Sequence, residues 1–211
     1  VYLIVTVSVT QYNAAGAVIQ NDYFICKLNE PSNNVYELDE ISYPAMVDSS
    51  KLTDAQILGF NEKIYIFSQG NECLVYDGST ITPPFSGTEY TDYIKPQDQH
   101  NLFADAINGN IAAAAYGRLW VTGVDGDYET IYYSDLLLAT QWYDGRSNAA
   151  DPQNTGGIIQ INEYWPSGTD RIVGIVAHNN ALFIMGRQSI LVYNNAATGD
   201  PAATDPGQRP E

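Results

Sequence analysis

Three times in this chain a short apolar run meets a tight turn, a second run, another turn and a third run containing a tyrosine near its end. The first copy takes Gln56 to Phe60, a turn at Asn61-Glu62, Lys63 to Phe67, a turn over Gln69 to Glu72, and Cys73 to Asp77. The second runs Ile111 to Tyr116, turns at Gly117-Arg118, continues Leu119 to Val121, loops through GVDGDYET and returns as Ile131 to Asp135. The third takes Ile172 to His178, a turn at Asn179-Asn180, Ala181 to Met185, a turn over Gly186 to Gln188, and Ser189 to Asn194. Runs this short, closed by two-residue connections, make antiparallel hairpins rather than helices. Each copy is therefore expected to form a three-stranded meander. Leu119 follows its counterpart Ile64 by 55 positions and Leu182 follows Leu119 by 63, a spacing in keeping with propeller blades.

The expected fold class is all-β: a propeller-like array of antiparallel meanders, complete or partial, over residues 1–193. A β-sandwich with coincidental hairpins is the competing architecture. A fainter copy precedes the three, with DYFICKL and NVYEL as paired strands, and STITP and GIIQI are candidates for fourth strands. At the start, Val5 to Thr10 alternates strictly between apolar and hydroxyl side chains, a strand signature rather than a signal peptide. A chain beginning inside a strand is expected to be a fragment or a processed product. The Ala-rich stretch before the second copy allows a helical turn over Asn101 to Ala106, but the repeat places Ile111 to Tyr116 in a strand. Residues 194–211, rich in Ala, Gly, Pro and Asp without periodicity, read as a linker or extended arm.

Charge narrows the partners. Nine basic against 25 acidic side chains give a net charge of −16, which argues against nucleic-acid affinity through counterion release and against an anionic membrane surface. Such a surface serves solubility, or forms a wall past which DNA slides without sticking. Cys26 and Cys73 sit in separate apolar runs, outside any CxxC or Cys/His cluster, and read as buried free thiols.

Motifs for catalysis are missing: the sequence contains no GxSxG, HExxH or GxxxxGK[ST]. His100 and His178 each stand alone, the latter beside a turn. Asp125, Asp127 and Glu129 have alternate-carboxylate spacing but lack the later bidentate Glu of a calcium loop, so an acidic turn accounts for them. A propeller glycosidase would need two converging carboxyls, and Tyr132 to Trp142 matches a sialidase Asp-box only loosely. The 16 tyrosines fit carbohydrate stacking, but also half-buried strand positions. No catalytic, cofactor-binding or metal residue is assigned, and the chain is not expected to be an enzyme. Arg118 and Arg187 are expected in matching turns, paired with carboxylates rather than holding phosphate.

The stretch GRLWVTGVDGDYETIYYSD, followed by DRIVGIVAHNNALFIMGRQSILVYNNAATGDP, resembles the packaged-DNA stabilisation proteins of short-tailed bacteriophages, also called tail hub or nozzle proteins. The resemblance spans Ala115 to Pro210 and is most specific at Tyr132 to Asp135, Gly174 to Gly186 and Val192 to Asn194. It implies a virion component with a propeller-like domain, assembled in the host cytoplasm as a homohexameric ring on the tail. The implied partners are other copies of itself, the portal and adaptor and other tail proteins. Double-stranded DNA passes through without tight binding, and no cofactor and no membrane take part. Family members are longer than this chain, and no segment here matches their usual N-terminal part. A glycan- or receptor-binding propeller module is the alternative function.

Overall fold

The computed structural model describes residues 3–32, 35–43, 47–71, 73–82, 109–142, 156–166 and 168–194. His100, the turn expected at 101–106 and the arm expected beyond Asn194 lie outside them. The described residues form antiparallel sheets with one 3-10 segment, Ser49–Asp54. Sheet I comprises β1 (Leu3–Tyr12), β2 (Val18–Ser32) and β3 (Val35–Glu40), in that order. Sheet II comprises β4 (Gln56–Phe60), β5 (Lys63–Phe67), β6 (Leu74–Tyr76) and β7 (Ile81–Thr82). Sheet III holds β8 (Ile111–Ala115), β9 (Arg118–Thr122), β10 (Thr130–Asp135), β11 (Leu138–Trp142) and β12 (Gly157–Gln160). Sheet IV is β13 (Ile172–His178), β14 (Ala181–Gly186) and β15 (Ile190–Asn194). All three expected meanders are present, as are both expected fourth strands, β7 on β6 and β12 on β10.

Hairpin chemistry explains the first connection of each meander. Asn61 and Glu62, Tyr116 and Gly117, and Asn179 and Asn180 all have positive φ at both central positions, the conformation that matches strand twist in two-residue turns. One turn boundary differs from expectation. The second hairpin turns at Tyr116-Gly117, and Arg118 opens β9 opposite Ala115. Arg118 is buried in the strand because its guanidinium donates to the Ser134 carbonyl at 2.7 Å and lies 5.5 Å from the Tyr133 ring centre. It therefore does not match Arg187, which lies in the connection from β14 to β15.

Burial shows how the sheets are assembled. On one face of sheet III, Ala112, Leu119, Val121 and Tyr132 pack with Tyr65, Phe67 and Val75 of sheet II and with Cys73 just before β6. On the other, Ala113, Trp120, Ile131 and Tyr133 pack with Ile175, Leu182, Ile184 and Leu191 of sheet IV. The second face of sheet II, with Ile66, Leu74 and Tyr76, meets Ile4 and Ile25 of sheet I. Sheets II, III and IV thus stack face to face in chain order, sheet I joins sheet II with the buried Leu52 of the 3-10 segment in the same cluster, and the two inner sheets are covered on both sides. That is why their strands are apolar at nearly every position instead of alternating. The alanines of β8 let the backbone approach both neighbours.

Sheet I outgrows its neighbour. β1 and β2 pair over ten positions from Leu3↔Leu28 to Tyr12↔Val18, whereas β4 and β5 have five residues each. From Ser8 to Asn21 both strands and their turn are exposed, forming a projecting hairpin. Asn13 closes its tip, its Oδ1 accepting from Ala15 and Ala17 N–H at 2.9 Å each.

Candidate functional site

The stack sets all three meanders in the same orientation. At one end, the Asn61 side-chain amide donates to the Leu137 carbonyl, and the Tyr116 hydroxyl donates to the Ala181 carbonyl at 3.0 Å. These bonds gather the tight hairpin turns of sheets II, III and IV. The opposite end collects the second connections, and there a residue upstream of each sheet holds the chain in place. Before sheet II, Asp48 N–H donates to Asn71 Oδ1 at 2.8 Å and Asn71 Nδ2 returns a bond to the Asp48 carbonyl at 3.0 Å. Before sheet III, Asn110 N–H donates to the Thr122 carbonyl at 3.2 Å. Before sheet IV, Asp170 takes four backbone N–H groups: Arg171 and Arg187 on Oδ1, Gln188 and Ser189 on Oδ2, at 2.7–3.0 Å.

This second end is acidic. Asp48, Asp54, Asp125 and Glu129 are exposed there, with Asp127 and Asp170 half-buried. Of the cations beside them, Lys51 lies 3.9 Å from Asp48 and the Arg171 guanidinium sits 3.7 Å above the Tyr128 ring, while Arg187 in the β14–β15 connection is exposed. A cleft of about 580 Å³ opens between sheets II and III, lined by Lys51, Asp54, Gln69, Asn110 and Asp125 with backbone at Gly70, Gly123 and Gly126. Its lining is polar, and Asn110 Oδ1 is buried without a donor among the described residues.

Burial would raise the Asp170 carboxyl, but its four N–H donors outweigh that and hold it below its ordinary 3.8. A carboxyl depressed by folding stabilises above its unfolded range, and the contribution fades as pH falls through it. Asp170→Asn is therefore expected to lower the thermal midpoint at pH 7 and to flatten its decline below pH ~4. Hydrogen exchange should lose protection at Arg187 to Ser189. An unchanged acid limb would show that the carboxylate does not hold this turn.

The acidic triplet forms a turn, not a cage: Asp125 has φ 52°, and Asp127 Oδ1 accepts from Glu129 N–H at 2.8 Å. Among the described residues no three His, Cys, Asp or Glu converge as metal ligands. His178 ends β13 opposite Ala181 and is exposed. Cys26 and Cys73 are free and buried, and burial raises both thiols, leaving them little thiolate character. Tyr65, Tyr76, Tyr132, Tyr133 and Tyr193 are buried in the sheet interfaces rather than half-buried, so they offer no stacking platform. Burial pushes Tyr65 up to about 12.

Two features escaped the sequence reading. The second connection of each meander carries little apolar signal, so the shared acidic end emerges only when the sheets are stacked. The turn after β10, where Leu136, Leu137 and Leu138 are all exposed, interrupts the repeat with an extra strand, β11. No protein-family model matches the chain, and no curated protein or solved structure is significantly similar to it.

Proposed function

We propose that this chain is a structural component of a bacteriophage tail, a hub or nozzle subunit. Its stacked meanders form part of a propeller-like array, and its copies form a ring that retains packaged DNA and conducts it at ejection. The observation that carries the reading is the acidic end shared by sheets II, III and IV. There the carboxylates of Asp48, Asp54, Asp125, Asp127, Glu129 and Asp170 outnumber the cations Lys51, Arg171 and Arg187, the first two of which are already engaged by protein groups. A wall of this kind repels phosphate along its length, so passing DNA meets no deep electrostatic well. Of the tyrosines that would favour a glycan-binding module, Tyr65, Tyr76, Tyr128, Tyr132, Tyr133 and Tyr193 are spent on the core, while Tyr12 and Tyr36 are exposed. The reading places the protein in the virion, assembled with portal, adaptor and other tail proteins, and gives it no catalytic role.

A short DNA duplex titrated at low salt is expected to bind more weakly than about 10⁻⁴ M, the loose end of ordinary non-specific binding. Tight, salt-sensitive binding would replace the conduit with a clamp. Electron micrographs of the purified protein should show rings.

A further inference from the structure

Four backbone N–H groups converge on one carboxylate where the chain enters sheet IV. Asp170 Oδ1 accepts from Arg171 N–H at 2.7 Å and Arg187 N–H at 2.9 Å, and Oδ2 accepts from Gln188 and Ser189 N–H at 3.0 Å each. The last three donors are consecutive residues of the connection from β14 to β15. Successive N–H groups turned towards one point form a concave nest, a seat for an oxyanion. Gly186 completes it. A Cβ there would run into the Asp170 carboxylate, so the anion comes this close only because no side chain intervenes. The Gly186 N–H itself donates to the Ser189 carbonyl at 2.7 Å and closes the turn behind the three donors.

The neighbouring sheets hold their second connections with less. In sheet II, Asn71 exchanges two bonds with the Asp48 backbone, and in sheet III a single bond joins Asn110 N–H to the Thr122 carbonyl. Of these three closures, that of sheet IV alone uses a charged side chain. Its donors also lie in the segment Gly186-Arg187-Gln188-Ser189, which carries a guanidinium and a hydroxyl, both groups that bind phosphate oxygens. Arg187 is exposed. Left open, this turn would attract phosphate at an end otherwise lined with carboxylates.

We infer that the β14–β15 connection is an oxyanion-binding seat that the chain fills with its own carboxylate, so that Asp170 keeps phosphate out of it. The two carboxylate oxygens stand where two oxygens of a phosphate would. Asp170 is bonded directly to the residue of its first donor, Arg171, so its own binding is intramolecular and a free anion competes poorly. The seat is therefore closed in the unaltered protein. Seat and plug stand on this geometry alone, whereas their bearing on DNA rests on the conduit proposed above. A duplex sliding along an acidic wall would otherwise meet one place to catch, with Arg187 beside it.

The test compares the full chain with Asp170→Ala, which empties the seat, and Asp170→Asn, which loses the same charge but keeps the seat filled. Thermal midpoints are followed as inorganic phosphate replaces chloride at constant ionic strength, with amide NMR shifts of Arg187 to Ser189 recorded in the same series. The alanine variant should bind phosphate saturably, its midpoint rising as those three amides shift together, while the unaltered protein and Asp170→Asn show neither. Asp170→Ser serves as a second opened variant should Asp170→Ala disturb folding, which circular dichroism would reveal. A short DNA duplex at low salt should bind the alanine variant about ten-fold more tightly than the unaltered chain. Its salt slope should steepen by about 1, as for one added phosphate contact. Asp170→Asn should gain much less. An alanine variant that is destabilised but indifferent to phosphate would show that the carboxylate merely props the turn, and would overturn the seat. Phosphate binding without a gain in DNA affinity, or with an equal gain in Asp170→Asn, would overturn the exclusion of DNA and leave the seat standing. Tight DNA binding by the unaltered chain would overturn the conduit and with it the plug's role against DNA, while the phosphate series still decides the seat.

Discussion

Trp120→Ala is expected to cost about 3–5 kcal/mol of folding stability, the range for emptying a large aromatic site in a core. Trp120 is fully buried in β9, and its ring centre lies 5.1 Å from that of Tyr133 on β10. The indole N–H donates to the Ala115 carbonyl at 3.1 Å, tying β9 back to the end of β8. Alanine would remove the apolar volume between sheets III and IV and leave that carbonyl without its donor. Chemical denaturation should register the loss as a lower midpoint with an unchanged slope. Trp120→Phe separates the parts: it keeps most of the volume and should lose roughly 1 kcal/mol for the hydrogen bond. If the alanine variant lost less than 1 kcal/mol, the interface between sheets III and IV would not be the core described above.

The second large effect is expected at Gly157, the first residue of β12. A side chain there would run into the Tyr133 ring and hydroxyl, which cross directly over the glycine. Tyr133 is held between Gly157 on one edge of β10 and Trp120 on the other, so it has no free rotamer to retreat to. Gly157→Ala should therefore cost about 1–3 kcal/mol, the usual penalty for overpacking. The cost should fall on the β10–β12 pairing, visible as faster amide exchange at Ile158 to Gln160 while β9 stays protected. Unchanged exchange in β12 would refute this placement of the strand.

The meanders were legible in the sequence because their turns are chemically distinctive. Asn179-Asn180 and Asn61-Glu62 tolerate the left-handed backbone that such hairpins need. The turn expected at Gly117-Arg118 lies one residue beyond the observed one, because an arginine beside a glycine has the polar chemistry of a turn. A charged side chain at the head of a strand is buried only when a carbonyl such as that of Ser134 receives it, and that partner lies 16 positions away. Which face met which sheet was not legible: in LWV and IYY both faces are apolar, so alternation carries no direction. Nor did the expectation of half-buried tyrosines foresee that two neighbouring sheets would cover both sides of β10. Of the candidate site, the acidic loop at Asp125 could be seen, but its meeting with Asp48, Asp54 and Asp170 depends on stacking across three sheets.

Because the core clusters among the described residues each join one sheet to the next in line, cohesion there is a nearest-neighbour property, closer to a row of coupled links than to one pooled core. The inner links are held from two sides and the outer ones from one, so opening starts at the termini of the row and works inward. Damage at one joint leaves the far joint untouched. A chain built this way gains stability wherever a further link is laid on its end, whether or not that link belongs to the same molecule.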